Sequence, residues 1–213
     1  MNRRTRLAAL AAVLTLAAAC TPAAEQPTVP QYTVGGDETQ APSLAPDEIL
    51  PARTAAGIPA CPRTASGAKA VAGGLPALEL DCLGGDSTVN LAGLQRGTPW
   101  VVNLWAQWCQ PCNDEAPLVA QAAKDYRGKI NFLGIDYDDP FPHKAIAFAD
   151  KYQLGFAQVV DPEQTTRVPA RVRAVPQTYF VDAGGRIVHI EVKPLKSSEQ
   201  FDALVAEHLG VQK

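Results

Sequence analysis

The chain has 213 residues, of which 46% are hydrophobic, so it is long enough to bury a core and to form one ordinary domain. Lys and Arg number 19 against 22 Asp and Glu, which gives a formal net charge of −3. This balance provides no basic surface for a phosphate backbone, so nucleic acid is excluded as an expected partner.

The first residues are typical of a bacterial export signal. Three arginines precede an apolar stretch over residues 7–19, which is too short to span a bilayer. The stretch ends directly before Cys20, as in a lipoprotein signal whose cysteine becomes the acylated first residue. We therefore predict a signal peptide over residues 1–19 and lipidation at Cys20. The alternative is ordinary signal-peptidase cleavage, which would release a secreted soluble protein.

Residues 20–60 show neither a helical nor a strand period. They are rich in proline, contain several acidic residues and have few large apolar side chains. Segments of this composition cannot bury enough apolar surface to offset the entropy of ordering. We predict a disordered tether that holds the following domain, residues 61–213, away from the membrane.

Strand-like and helix-like segments alternate from Cys61 onward, which predicts an α/β domain with a central mixed sheet flanked by helices. The predicted strands are 75–80, 87–94, 99–106, 129–137, 156–160 and the two arms of a hairpin, QTYFVD and RIVHIEV, around Ala183-Gly184-Gly185. The predicted helices are 109–126, 143–154 and 197–210.

Two cysteines with two residues between them, Cys109 and Cys112, open the first of these helices. The free N–H groups and the positive dipole end at a helix start favour a thiolate at Cys109. Cys112, one turn further on, is placed to resolve a mixed disulfide. A zinc site would need further ligands, and the three histidines, His143, His189 and His208, lack zinc-ligand spacing. The pattern therefore favours a redox-active pair.

The segments VVNLWAQWCQPCNDEAP and VPQTYFVDAGGRIV, within this order of elements, resemble the TlpA/ResA-like thiol–disulfide oxidoreductases of the thioredoxin-like superfamily. The resemblance covers residues 70–210. It implies a thioredoxin-like fold with an N-terminal strand extension and a TlpA-type helix–strand insertion between residues 141 and 160. It implies neither a cofactor nor a metal.

The resemblance also assigns site residues besides the two cysteines. Pro176 matches the cis-proline that packs against the active-site sulfurs, and the backbone of Val175 would pair with an extended substrate peptide. Thioredoxin has a buried aspartate where this chain has Asn103, and an amide cannot accept a proton from Cys112. Glu115 matches the acid of ResA-like proteins and is expected to assist proton transfer; the alternative is a solvated helix glutamate.

The same resemblance implies an exported, monomeric enzyme that exchanges disulfides with protein substrates. It is expected at the outer face of the bacterial cytoplasmic membrane, anchored by its N-terminal lipid. The expected reaction is reduction of a disulfide in apocytochrome c before haem attachment, with electrons from a membrane thiol-relay protein. Redox direction depends on the potentials of the partners, so general oxidative folding is the alternative within this class.

Three further classes of protein fit the sequence less well. A Sco-type copper-delivery protein would use C-x-x-x-C and a distant histidine, and His189 has no reason to face the cysteines. A peroxiredoxin would carry T-x-x-C, which this chain lacks. A surface lipoprotein without catalytic activity would not need the two closely matching motifs around the cysteines and Pro176.

Cys61 and Cys82 are the thiols that remain once Cys20 is lipidated and Cys109 and Cys112 form the redox pair. In an oxidising compartment we expect them to form a structural disulfide. A second redox relay is the alternative, but neither cysteine lies at a helix start that would favour a thiolate.

Overall fold

The computed structural model describes residues 46–85 and 87–213. The predicted signal peptide, the lipidation site at Cys20 and the first part of the predicted tether lie outside these residues. Within them, no helix is long and apolar enough to cross a bilayer.

Seven strands form a single sheet, and four α-helices accompany it, in the part of the chain that the structure describes. The strands are β1 (Glu79–Cys82), β2 (Thr88–Asn90), β3 (Trp100–Trp105), β4 (Asn131–Tyr137), β5 (Ala157–Asp161), β6 (Gln177–Val181) and β7 (Ile187–Glu191). The helices are α1 (Pro46–Ala55), α2 (Gln110–Asp125), α3 (Pro142–Tyr152) and α4 (Ser198–Leu209).

The sheet is mixed, as the alternation of segments predicts. Its order is β2-β1-β5-β4-β3-β6-β7. Strands β3, β4 and β5 are parallel to one another, and every other neighbouring pair is antiparallel. The parallel strands therefore lie in the middle of the sheet, and antiparallel pairs close both sides.

Strand β3 is buried along its whole length because both faces of the sheet are covered. Val101 and Trp105 belong to a cluster that also contains the buried residues of α2, α3 and α4. Val102 and Leu104 belong to a second cluster, filled by other strands and by loops. The near-continuous apolar run in the sequence is explained by this double burial.

The prediction of a disordered tether over residues 20–60 is wrong for Pro46–Ala55, which form helix α1. Ile49 of this helix packs against the main cluster, and Arg53 is only 4% exposed. Arg53 Nη1 donates to the carbonyl oxygen of Leu83 at 3.0 Å. The segment has little apolar periodicity of its own, so tertiary contacts that a local pattern cannot reveal hold the helix in place.

The first two strands differ from their predicted limits. The first begins at Glu79 rather than residue 75, and the second ends at Asn90 rather than residue 94. The Asn90 side chain accepts the N–H of Ala92 at 3.1 Å and caps a short 3-10 helix, Leu91–Gly93. A capping asparagine thus ends a strand that the apolar pattern alone would continue.

A disulfide joins Cys61 and Cys82, whose Cα atoms are 6.0 Å apart. Cys82 is the last residue of β1, and Cys61 lies in the segment between α1 and the sheet. The bridge therefore ties an N-terminal segment with few large side chains to β1 of the sheet.

Replacing both Cys61 and Cys82 with alanine is expected to lower the free energy of unfolding by about 3 kcal/mol. The bridge closes a loop with a sequence separation of 21, and opening it returns chain entropy to the unfolded state. Urea unfolding of the oxidised wild type and of the double variant measures the difference. An unchanged unfolding midpoint would contradict the expectation.

Candidate active site

A second disulfide, Cys109–Cys112, lies where β3 passes into α2, with its two Cα atoms 5.2 Å apart. Cys109 is the N-cap residue of α2, and its Sγ accepts the N–H of Cys112 at 3.2 Å. Cys109 is 4% exposed and Cys112 is 1% exposed, so Cys109 is the more exposed of the two residues. The helix start thus directs a backbone donor and its dipole at Cys109, where both stabilise negative charge.

Asn113 holds the turn that carries Cys109. Its Nδ2 donates to the carbonyl oxygens of Gln107 at 3.1 Å and of Cys109 at 3.0 Å. Its Oδ1 accepts the hydroxyl of Tyr152, from α3, at 2.9 Å. One side chain therefore connects both sides of the turn to a neighbouring helix and fixes the position of the first sulfur.

Trp108 lies beside the disulfide and is 43% exposed. Its indole N–H donates to the carbonyl oxygen of Asp138 at 3.0 Å, which orients the ring. Trp105, the last residue of β3, is buried and stacks on Phe148 with 4.4 Å between ring centroids. Of these two tryptophans, Trp108 is the one that a binding partner could touch.

The Val175–Pro176 peptide bond is cis, as the resemblance implies. Pro176 directly precedes β6, which pairs antiparallel with β3 so that Gln177 lies opposite Leu104. The next position on β3 is Trp105, which leads into the cysteine loop. Pro176 is therefore placed at the end of the sheet that carries the disulfide.

Glu115 is buried inside the domain, with 2% of its surface exposed, and is not the solvated residue of the alternative interpretation. Its Oε1 accepts from Asn103 Nδ2 at 2.9 Å, and its Oε2 accepts the N–H of Leu195 at 2.8 Å. Asn103 also donates to Thr178 Oγ1 at 3.0 Å. Two donors thus hold the carboxyl group in one position, three residues after Cys112 on the same helix.

Burial raises the pKa of Glu115 from its ordinary value of 4.5 to about 7. The N–H of Leu195 and the amide of Asn103 act in the opposite direction, because both stabilise the charged form, and the Glu191 carboxylate raises the pKa further. A group with a pKa near 7 is divided between its protonated and charged forms at neutral pH. Glu115 is therefore suited to take up and release a proton.

Glu115 should also make the stability of the fold depend on pH. In the unfolded chain this carboxyl loses its proton near pH 4.5, whereas in the folded protein it keeps the proton up to about pH 7. The folded state therefore binds more protons across this window, and its stability falls as the pH rises. The loss attributable to Glu115 is about 3 kcal/mol between these two pH values.

Urea unfolding at about pH 4 and about pH 8 tests this dependence. As the pH rises, the wild type should lose stability relative to Glu115→Gln. Asp114→Asn, which removes the exposed neighbouring carboxyl, is the matched control and should show no such movement. A constant difference for Glu115→Gln would contradict the raised pKa.

Two more buried acids, Asp136 and Asp139, lie where β4 ends. Asp136 is paired in register with Trp105, and neither of its carboxyl oxygens has a hydrogen-bond partner within the described residues. Asp139 Oδ1 accepts the N–H of Phe141 at 3.0 Å. Burial raises the pKa of both groups, and the nearness of Asp139 raises that of Asp136 further. The sequence pattern did not single out this pair, although Asp136 lies inside the predicted buried strand and two more aspartates directly follow that strand.

Within the described ranges, no three His, Cys, Asp or Glu side chains are grouped so that they could hold a metal ion. His189, the distant histidine of the copper-delivery alternative, stacks on His208 with 4.1 Å between ring centroids. It also contacts Phe180 of β6. The packing of its ring gives no support to a role as a ligand beside the cysteines.

A mixed sheet with a Cys-x-x-Cys disulfide at the start of the helix after a central strand defines the thioredoxin-like class of proteins. The chain belongs to the AhpC/TSA family, whose model matches residues 71–190.

Two curated relatives have thiol–disulfide interchange in their names. The thiol:disulfide interchange protein HelX of Rhodobacter capsulatus is 30% identical over 135 residues, which cover 62% of this chain and 74% of HelX. The thiol:disulfide interchange protein CycY of Rhizobium leguminosarum is 31% identical over 111 residues, which cover 52% of this chain and 58% of CycY. This chain therefore spans little more than half the length of CycY.

A solved structure has the same fold. It is a secreted disulfide oxidoreductase of Mycobacterium tuberculosis, described as homologous to E. coli DsbE. Its TM-score is 0.55 at 27% identity, and the match covers 62% of this chain and 96% of that protein. The predicted thioredoxin-like fold is thereby confirmed.

Proposed function

We propose that the protein exchanges disulfides with protein substrates through Cys109 and Cys112. The observation that carries the proposal is the Cys109–Cys112 disulfide at a helix N-terminus, with the buried carboxyl of Glu115 on the same helix. The names of HelX and CycY, and the description of the Mycobacterium tuberculosis protein, support the same chemistry.

In the reducing direction, the Cys109 thiolate attacks one sulfur of a substrate disulfide and displaces the other as a thiolate. Glu115 accepts the proton of Cys112, whose sulfur then attacks Cys109 and releases the second substrate thiolate. Two electrons pass to the substrate, and the Cys109–Cys112 disulfide is the oxidised product. Asn103 and the N–H of Leu195 hold the Glu115 carboxyl in place during the transfer.

The proposed setting is the outer face of the bacterial cytoplasmic membrane, where the protein acts as a monomer anchored through a lipid at Cys20. Its proposed substrate is a disulfide in apocytochrome c, and its proposed electron donor is a membrane thiol-relay protein. The signal-like N-terminal sequence supports export, and the Mycobacterium tuberculosis relative is described as secreted.

The reduction potential of Cys109–Cys112, measured together with the redox state of this pair in cells, tests the direction of transfer. A low potential and a pair found mostly reduced in cells are the results expected of a reductase. A high potential and an oxidised pair would contradict the reductase and favour general oxidative folding. Differential alkylation followed by peptide mass mapping gives the cellular redox state.

A further inference from the structure

The Cys61–Cys82 disulfide is asymmetric in its surroundings. Arg53 Nη1, from α1, donates to Cys82 Sγ at 3.3 Å. Both Arg53 and Cys82 are buried, whereas Cys61 is only partly buried. A guanidinium group therefore contacts the sulfur of the buried residue, and Cys61 is the more exposed of the two cysteines, on the side from which an external thiol would approach.

The second sulfur has a different kind of neighbour. Cys61 Sγ lies 3.3 Å from the carbonyl oxygen of Gln158 in β5. A disulfide sulfur carries no proton, so this contact becomes a hydrogen bond only when Cys61 is reduced to a thiol. The two surroundings thus match the two products of bridge opening: a protonated Cys61 beside an acceptor and a charged Cys82 beside a cationic donor.

We propose that Cys61–Cys82 is a second thiol–disulfide exchange site, separate from Cys109–Cys112, with a fixed polarity. Cys61 is the sulfur that is attacked, and Cys82 is the leaving thiolate, stabilised by Arg53. An incoming thiolate forms a bond to Cys61 Sγ as the Cys61–Cys82 bond breaks, and the bonding electron pair leaves on Cys82. A second thiolate then releases Cys61, so two thiols are oxidised to one disulfide and the bridge gains two electrons.

The role of Arg53 follows from the chemistry of exchange. A disulfide opens faster when the leaving sulfur is more stable as a thiolate. Neither cysteine lies at a helix start, so the local sequence indicates no source of such stabilisation. The stabilising charge comes instead from α1, in the segment that was expected to be a disordered tether.

The experiment uses the full chain with Cys109→Ser and Cys112→Ser, so that Cys61–Cys82 is the disulfide under test and the proposed activity plays no part. The oxidised protein is exposed to glutathione, quenched with acid and mapped by mass spectrometry. We expect the first glutathione adduct on Cys61. An adduct formed first on Cys82 would overturn the proposed polarity.

Arg53 variants in the same background test the leaving-group role. Arg53→Met is expected to slow bridge opening by about tenfold, and Arg53→Lys should retain much of the rate. Arg63→Met, which removes an exposed cation near Cys61, is the matched control and should leave the rate unchanged.

A purely structural role for Arg53 makes the opposite prediction. Loosening α1 would expose the bridge, so Arg53→Met would open as fast as the parent or faster, and that result would overturn the proposal. The proposal would also be overturned if the bridge opened no faster than the whole protein unfolds, with global unfolding measured by hydrogen exchange. The mapping on Cys61 needs no Arg53 variant and therefore stands even if Arg53→Met fails to fold.

Discussion

Replacing Cys109 with serine is expected to abolish the reduction of insulin disulfides. A serine hydroxyl stays protonated at neutral pH and cannot replace the thiolate that attacks the substrate. The rate of insulin precipitation with dithiothreitol should fall to that of the uncatalysed reaction. No other sulfur in the described residues combines this helix N-cap position with the backbone donor of Cys112.

Cys112→Ser is the matched variant, and its expected result is different. It retains the attacking sulfur but cannot resolve the mixed disulfide, so covalent complexes with substrate should accumulate on non-reducing gels. Mass mapping should find the substrate linked to Cys109. Faster alkylation of Cys112 than of Cys109 in the reduced wild-type protein would show that the two roles are reversed.

Replacing Glu115 with glutamine is expected to slow resolution of the mixed disulfide by about a hundredfold at neutral pH, which is the usual range for loss of a general base. Glutamine keeps the size of the side chain and can still accept the N–H of Leu195, so the fold should remain intact. The wild-type rate should rise with pH through about 7, as Glu115 loses its proton. This rise should be absent from the variant.

Single-turnover reactions with a disulfide peptide, over a range of pH, measure the effect on resolution. Asp114→Asn is again the control, because it removes a carboxyl from the exposed side of the same helical turn. A pH profile of Glu115→Gln that matches the wild type would remove Glu115 from the mechanism and leave it a purely structural role.

The sequence was most informative where local pattern and chemistry coincide. The buried run of β3 leads directly into the cysteines, so one segment predicts a strand, a helix start and a redox pair together. Pro176 and the hairpin after it could likewise be matched as one block. These features depend on short-range spacing, which a sequence displays directly.

Features that depend on distant contacts could not be predicted in the same way. The spacing of Glu115 places it on the face of Cys112, but its raised pKa comes from enclosure by the fold, and one of its two donors is Leu195, 80 positions away. The docking of α1 depends on Arg53 reaching Leu83 across a separation of 30. Neither contact produces a periodic pattern of residues in the sequence.

The place of β1 in the sheet has a consequence for the order of assembly. Asp81 lies opposite Val160 of β5, about 80 residues further along the chain. During synthesis, β1 and β2 therefore leave the ribosome long before β5, the strand with which β1 pairs, has been made. The Cys61–Cys82 loop can close locally in the meantime, whereas docking onto β5 has to wait for the central parallel strands. Until that docking, β5 exposes an unpaired edge, and this is the stage at which a nascent chain is most vulnerable to pairing with its neighbours.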